Sequence, residues 1–166
     1  VKAIDLSRED YLVDMLVYKE GYDILTITEK GYGKRTDASE YKVQKRNGKG
    51  VKSKDDAILD TISTNTIDNL MVFTNKGKMY KVLVDNIPAG TNASKGTGIA
   101  SLIKIEPDEK VIAITSLSRK TDAKYVVFIT KKGMIKKTDL EEYKSVKRGN
   151  GIIAIKINEG DSIANV

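Results

Sequence analysis

Short apolar runs that each end in a polar turn with glycine recur three times along the chain. Each run is rich in Ile, Val, Leu, Phe and Thr and is closed by a Lys-Gly pair, which is typical of a β-strand entering a hairpin. The three runs with their turns are Ile24–Gly31, Leu70–Gly77 and Val126–Gly133. Since glycine readily adopts the positive φ that such turns need, the pattern predicts three β-hairpins.

A return strand follows each turn, and other apolar segments supply further strands. The predicted return strands are Tyr32–Thr36, Lys78–Val82 and Met134–Thr138. The additional strands that the pattern predicts are Leu12–Tyr18, Ile58–Ser63, Lys110–Ser116, Gly98–Ile105 and Gly151–Ile157. A short helical turn is expected only within 139–144, because no longer segment sustains a helical period. Each unit therefore has about four strands.

The spacing of the glycines shows that the whole unit repeats. The hairpin glycines are 46 and 56 residues apart, and a second glycine follows each of them after 19, 19 and 18 residues, at Gly50, Gly96 and Gly151. A period of about 50 residues is typical of propeller blades or a solenoid. We therefore expect an all-β chain of roughly three four-stranded blades in a single domain over 1–166. The repeats are expected at about 1–50, 51–97 and 98–150, with the start of another at 151–166.

Composition adds a charge preference and removes several kinds of chemistry. Lys and Arg number 29 against 23 Asp and Glu, which gives a net charge of +6 and favours a polyanionic partner. The chain has no Cys and no His, so disulfides, thiolate metal sites and His-based catalysis are excluded. It has no apolar run long enough for a membrane helix and no signal-peptide pattern, so a cytoplasmic protein is expected.

Other candidate sites in the sequence are weak. The acidic pairs Asp55-Asp56 and Glu141-Glu142 lie in connectors, where solvated turns explain them better than metal binding or acid–base chemistry. Gly96-Thr-Gly98 and Gly149-Asn-Gly151 resemble parts of phosphate-binding loops, but β-type runs follow them instead of a helix. We therefore expect no cofactor and no metal in this chain.

Positive charge is concentrated between Lys30 and Lys54, where nine cations stand against two acidic residues. Within this segment, Gln44-Lys45-Arg46-Asn47-Gly48-Lys49-Gly50 interleaves cations with glycines. Glycine lets a backbone approach another surface closely, and Lys and Arg neutralise phosphates. A basic loop that contacts only solvent is the alternative interpretation.

This loop resembles the Gln-(Arg/Lys)-Arg-Gly-Gly-Lys-Gly box that marks the C-terminal domain of the DNA gyrase A subunit. It departs from the box at one place, Asn47, and Asn is the non-glycine residue that best tolerates a left-handed backbone. The blade phrases of that family are similar to Lys30–Thr36, Val72–Gly77 and Gly133–Tyr143 of this chain. The resemblance implies a β-pinwheel, a propeller-like disc whose basic rim bends DNA, with the DNA-cleaving tyrosine and the ATPase outside this fragment.

The sequence thus predicts a non-catalytic domain that binds and wraps double-stranded DNA with little sequence preference. The resemblance implies a parent enzyme that supercoils DNA negatively with ATP, as a gyrase A dimer with gyrase B subunits, in the nucleoid. The topoisomerase IV A subunit is an alternative with the same fold, and a propeller-type protein-interaction module is an alternative of another class. The candidate DNA-binding residues are Lys34, Arg35, Gln44, Lys45, Arg46, Asn47, Gly48, Lys49, Gly50, Lys95, Lys136, Lys137, Lys147 and Arg148.

Overall fold

The computed structural model describes residues 3–46, 48, 57–118 and 121–166, which fold almost entirely as β-structure. This confirms the predicted all-β class. The strands are β1 (Asp23–Thr28), β2 (Tyr32–Asp37), β3 (Ile58–Thr64), β4 (Asn69–Thr74), β5 (Lys78–Leu83), β6 (Thr97–Gly98), β7 (Val111–Leu117), β8 (Tyr125–Thr130), β9 (Ile135–Asp139), β10 (Ile152–Ile153) and β11 (Ile163–Asn165). One helical turn, α1 (Glu141–Lys144), follows β9, and single 3-10 turns lie at Ala38–Glu40, Val84–Asn86 and Ile99–Ser101.

Three antiparallel hairpins, β1–β2, β4–β5 and β8–β9, form at the positions that the apolar pattern predicts. Gly31, Gly77 and Gly133 close them with φ values of 78°, 72° and 86°, a region that favours glycine. The registers correspond, since Ile27 pairs with Gly33 next to the first turn, and the other two hairpins pair in the same way. The hairpin prediction is confirmed.

Each hairpin is the centre of a separate sheet. The strand orders are β3-β1-β2-β6, β7-β4-β5-β10 and β11-β8-β9. The inner strands contact one another in series, β3 with β7 and β7 with β11. The sheet edges formed by β3, β7 and β11 therefore face a common centre. The strands β6 and β10 lie at the opposite edges, on the outer rim, as in a propeller. Of the three return strands, β2 and β5 have a neighbour on both sides, whereas β9 pairs only with β8 among the described strands.

The core lies between neighbouring sheets. Alternate residues of β4 point to opposite faces, so Leu70 and Val72 pack against the first sheet, with Leu25 and Ile27 in the same cluster. Met71 and Phe73 point to the other face and pack against the third sheet, in a cluster that contains Phe128 and Tyr143. The middle sheet is thus buried on both faces, which explains why its hairpin is the most apolar of the three.

The strand predicted at Leu12–Tyr18 is wrong, because no residue of that segment lies in a strand. In the sheets, β3 pairs with β1 and β7 pairs with β4, so each inner strand joins the hairpin that precedes it in the chain. Among the described strands, none pairs with this segment. Most of its apolar side chains are exposed, with Met15 at 78% and Val17 at 80%.

The strands predicted at Gly98–Ile105 and Gly151–Ile157 are much shorter than expected, since only β6 and β10 form there. The backbone then leaves the rim: the Ile99 N–H donates to the Gly31 carbonyl, and the Ala154 N–H donates to the Gly77 carbonyl. Ile99 is 1% exposed, because it packs between sheets instead of continuing the ladder. The repeat boundaries expected near 50, 97 and 150 stay predictions, because each four-stranded sheet shares strands between consecutive segments.

Candidate nucleic-acid interface

The basic box lies between β2 and β3 in the chain. Gln44, Lys45 and Arg46 are exposed, and a turn forms where the Gly48 N–H donates to the Lys45 carbonyl at 3.0 Å. The Gly48 carbonyl accepts from the Asp5 N–H at 3.4 Å. The other predicted members of the box, Asn47, Lys49 and Gly50, lie outside the described residues. The described part of the box therefore offers two cations to solvent.

Lys34 is buried, unlike a cation that is exposed at the rim. Its side chain points into the protein, the residue is 6% exposed, and its ammonium donates to the carbonyls of Asn92 at 2.5 Å, Ser94 at 2.8 Å and Thr91 at 3.3 Å. Burial lowers the pKa of the Lys34 ammonium. Three carbonyls satisfy all three donors of an ammonium, so this geometry favours a structural role for Lys34.

Arg35 is held by protein groups as well. Its Nε donates to the Ile87 carbonyl at 2.8 Å, and its guanidinium pairs with Asp23 at 2.6 Å and with Asp85 at 3.5 Å. The Arg35 side chain is 12% exposed. Contact of Lys34 or Arg35 with DNA stays a prediction that this arrangement does not favour.

Two segments carry the chain from one sheet to the rim of the preceding sheet, and both hold predicted cations. The first crossing segment, residues 84–96, leads from β5 to β6, which pairs with β2. Lys95 is exposed at its end, with Nζ 4.3 Å from the centre of the Tyr32 ring, a cation–π contact. Lys95 therefore lies at the outer edge of the first sheet.

The second crossing segment, residues 140–151, leads from β9 to β10, which pairs with β5. Lys147 and Arg148 are exposed on it, and the Arg148 Nε donates to the Asn69 side-chain oxygen at 3.2 Å. These cations stand at the outer edge of the second sheet, as Lys95 does for the first.

Lys136 and Lys137 lie on β9, the outer strand of the third sheet, and both are exposed. Lys137 Nζ is 4.6 Å from the centre of the Tyr125 ring, and Lys136 Nζ donates to the Ala154 carbonyl at 2.5 Å. The structure thus brings predicted cations to the rim of three consecutive sheets.

At the second hairpin, two lysines are paired with neighbouring carboxylates. Lys76 pairs with Asp108 at 2.6 Å and with Glu106 at 2.9 Å, and Lys78 pairs with Glu106 at 2.5 Å. The ammonium groups of Lys78 and Lys76 hold the pKa of Glu106 below its usual range. These lysines around the second hairpin are therefore poorly placed to bind phosphate.

Tyr80 is the most deeply buried tyrosine, and its surroundings do not activate it. Its hydroxyl donates to Glu109 at 2.9 Å and to the Lys104 carbonyl at 3.1 Å. Burial, with the Glu109 carboxylate, raises the pKa of Tyr80 to about 12, whereas a nucleophile needs a lowered pKa. Within 3–46, 48, 57–118 and 121–166, no group of three or more acidic, His or Cys side chains could hold a metal ion.

The family model for the DNA gyrase C-terminal domain, described as a β-propeller, matches residues 22–63, 68–118 and 124–166. Each matched segment contains one hairpin and the inner strand that follows it. The chain belongs to this gyrase family. It is 36% identical over 168 residues to the DNA gyrase A protein of Clostridium acetobutylicum, a match that covers 99% of the chain and 20% of that protein.

Solved structures agree with the gyrase assignment. A DNA gyrase A C-terminal domain matches with a TM-score of 0.72 and 29% identity, over 87% of this chain and 46% of that one. A topoisomerase IV C-terminal domain matches with a TM-score of 0.64 and 28% identity, over 86% and 44%. The topoisomerase IV alternative is therefore less well supported. The chain spans about a fifth of the length of the curated gyrase A relatives that it matches.

Sequence reasoning missed Lys81, a buried lysine of β5 that contacts the second crossing segment. Lys81 is 8% exposed, and its ammonium donates to the Lys144 carbonyl at 2.6 Å in the second crossing segment. Burial, together with the charge of Arg148, lowers the pKa of Lys81. Its place on a return strand was the only signal, because its partner lies 63 residues further along the chain.

No helix among the described residues is long and apolar enough to cross a membrane.

Proposed function

We propose that this chain binds double-stranded DNA and bends it along the rim of the propeller, as a C-terminal domain of a DNA gyrase A protein. The observation that carries the proposal is the row of exposed cations at the outer edges of three consecutive sheets. This row contains Lys95, Lys136, Lys137, Lys147 and Arg148. A duplex that follows these edges would gain phosphate contacts from each sheet in turn, which would offset the cost of bending.

The proposed contacts go to phosphates and carry no sequence information by themselves. Lys45 and Arg46 of the basic box would extend the same surface, and the box would serve the bending of DNA more than its simple adhesion. We expect binding to be nearly independent of DNA sequence and to need no cofactor.

The proposal assigns no catalytic step to this chain. Cleavage of DNA and hydrolysis of ATP would belong to other parts of the enzyme, a gyrase A dimer with gyrase B subunits in the bacterial cytoplasm. The domain would support negative supercoiling by holding a bent duplex for those parts. Purified chain should therefore neither cut DNA nor hydrolyse ATP.

Titration of a duplex of about 100 base pairs across a salt series tests the DNA-binding function. If roughly six phosphates are neutralised, the logarithm of the affinity should fall against the logarithm of the salt concentration with a slope of about −5. A second duplex of the same length and scrambled sequence should bind equally well. No mobility shift at low salt, or an affinity that does not depend on salt, would contradict the proposal.

A further inference from the structure

The two crossing segments depend on cations of the preceding hairpin for their position. In the first segment, the Arg35 N–H donates to the Pro88 carbonyl at 3.2 Å, and the Gly90 N–H donates to the Arg35 carbonyl at 2.8 Å. Together with the guanidinium contact to Ile87, these bonds fix the first half of the segment against β2. They leave the second half, residues 91–96, without a backbone partner on β2 until β6 begins.

The Lys34 side chain attaches this second half of the segment to β2. Its ammonium is the point on which the carbonyls of Thr91, Asn92 and Ser94 converge, and the residue that follows is Lys95. Just beyond, Gly96 passes so close to β2 that an added Cβ would lie 2.5 Å from the Gly33 carbonyl oxygen. The exposed Lys95 therefore sits between two fixed points, the Lys34 ammonium and the close approach at Gly96.

The second crossing segment repeats this arrangement with a different residue. Lys81 on β5 donates from its ammonium to the Lys144 carbonyl, and its own carbonyl accepts from the Gly149 N–H at 3.0 Å. Lys147 and Arg148 lie between these two bonds and are exposed. In both segments, a buried lysine of the return strand thus holds the stretch that carries the exposed cations.

We propose that Lys34 is a positioning residue for DNA binding: it fixes residues 91–94 through three carbonyls and so places Lys95 at the rim, without touching DNA itself. The inference rests on the proposed function, because it assigns Lys95 a phosphate contact. It differs from direct binding by Lys34, for which the ammonium would have to leave three carbonyl partners and become exposed.

The test compares K34M, K95A and the double variant of this chain on a duplex of about 20 base pairs across a salt series. K95A should reduce the magnitude of the salt slope by about 1, as expected for the loss of one phosphate contact. K34M should reduce it by a similar amount, and the double variant should bind no more weakly than K34M alone. K110M, the same change at an exposed lysine beside the inner strand β7, should bind as the wild type does.

Hydrogen exchange followed by mass spectrometry gives a readout that does not depend on DNA. In K34M, the amides of residues 91–98 should exchange faster, and those of the hairpin β4–β5 should not. If K34M impairs folding, K34Q serves in its place, since its amide keeps two donors and should give smaller effects in the same direction.

Each failure has a distinct meaning. Additive losses in the double variant, with unchanged exchange in K34M, would show that Lys34 contacts phosphate itself. A K34M protein with faster exchange but wild-type affinity and slope would show that Lys34 only stabilises the fold. Either result would overturn the positioning role. A wild-type chain without salt-dependent binding would instead overturn the proposed function, and exchange would still show whether Lys34 holds the segment.

Discussion

Lys34 and Lys136 occupy the same register position in their hairpins, where Lys34 pairs with Thr26 and Lys136 pairs with Phe128. Lys34 is buried under the first crossing segment, whereas Lys136 is exposed. The residue type and its local spacing are identical, so the difference comes from what packs over each return strand. At this scale, charge alone does not identify a DNA-binding residue.

Gly77 and Gly133 close their hairpins with similar positive φ but have different surroundings. An added Cβ at Gly77 would lie 2.1 Å from the Ile155 carbonyl oxygen, whereas one at Gly133 would meet nothing within 4 Å. We expect G133A to cost about 1 kcal/mol from backbone strain alone. G77A should cost at least about 1 kcal/mol more, because a backbone carbonyl must move. Urea unfolding of both variants measures the difference, and equal losses would contradict it.

Glu109 links stability to pH. Burial alone would raise the pKa of Glu109, but donors from Thr74, the Glu106 N–H and Tyr80, with the nearby Lys78, hold this pKa below its ordinary value. The folded state therefore binds fewer protons than the unfolded state. The resulting stability is present above the ordinary Glu value of about 4.3 and is lost as the pH falls from there through the lowered folded value.

E109Q should be less stable than the wild type at pH 7 by about 1–3 kcal/mol, because the neutral amide accepts fewer of these bonds. The loss should shrink between pH 5 and pH 3, where the wild type itself is destabilised. Urea unfolding at pH 7, 5 and 3 measures this, with E142Q as the control at an exposed carboxylate. A loss that stays constant over this range would contradict the assignment.

At the scale of elements, each sheet is stabilised by the sheet beside it. The Phe73 ring meets the Phe128 ring edge to face, with centres 5.4 Å apart, across the boundary between the second and third sheets. Phe73 is fully buried, and Ile135 on the outer strand of the third sheet is 69% exposed. The contribution of an apolar residue therefore depends on whether a neighbouring sheet covers it.

F73A should reduce the free energy of unfolding by about 3–5 kcal/mol, because it opens a cavity between two sheets. I135A should change that free energy by no more than about 0.5 kcal/mol, as is usual for exposed side chains. Urea unfolding of both variants, followed by circular dichroism, makes the comparison. Similar losses would show that the third sheet is stabilised independently of its neighbour.

At the scale of the whole molecule, the proposed bending requires DNA to pass from one sheet to the next. The exposed cations occur at three sheets, while the box contributes Lys45, Arg46 and Lys49 from the segment between β2 and β3. Adhesion of a short duplex needs only part of this surface, and bending of a long duplex needs all of it. Loss of the box should therefore affect the two activities unequally.

The variant K45A/R46A/K49A should bind a duplex of about 20 base pairs only modestly more weakly and should lose most of its bending of a duplex several times longer. End-to-end fluorescence transfer at saturating protein measures the bending. K19A/K110A/K124A removes the same charge from three exposed lysines outside the predicted site and should bend DNA as the wild type does. Equal bending by the box variant and the wild type would return the box to the role of a solvated basic loop.

The sequence by itself determined the three hairpins, their turn glycines and the all-β class, because a strand–turn–strand unit depends on residues within about 15 positions of one another. Family resemblance in the box and the blades identified the gyrase family. The tertiary structure alone decided which cations are exposed. Lys34 meets its three carbonyls 57 to 60 residues further along the chain, and no local pattern encodes that contact. Pairing of strands is non-local in the same way. The apolar pattern of Leu12–Tyr18 suits a strand, but a strand forms only where another strand satisfies its backbone hydrogen bonds.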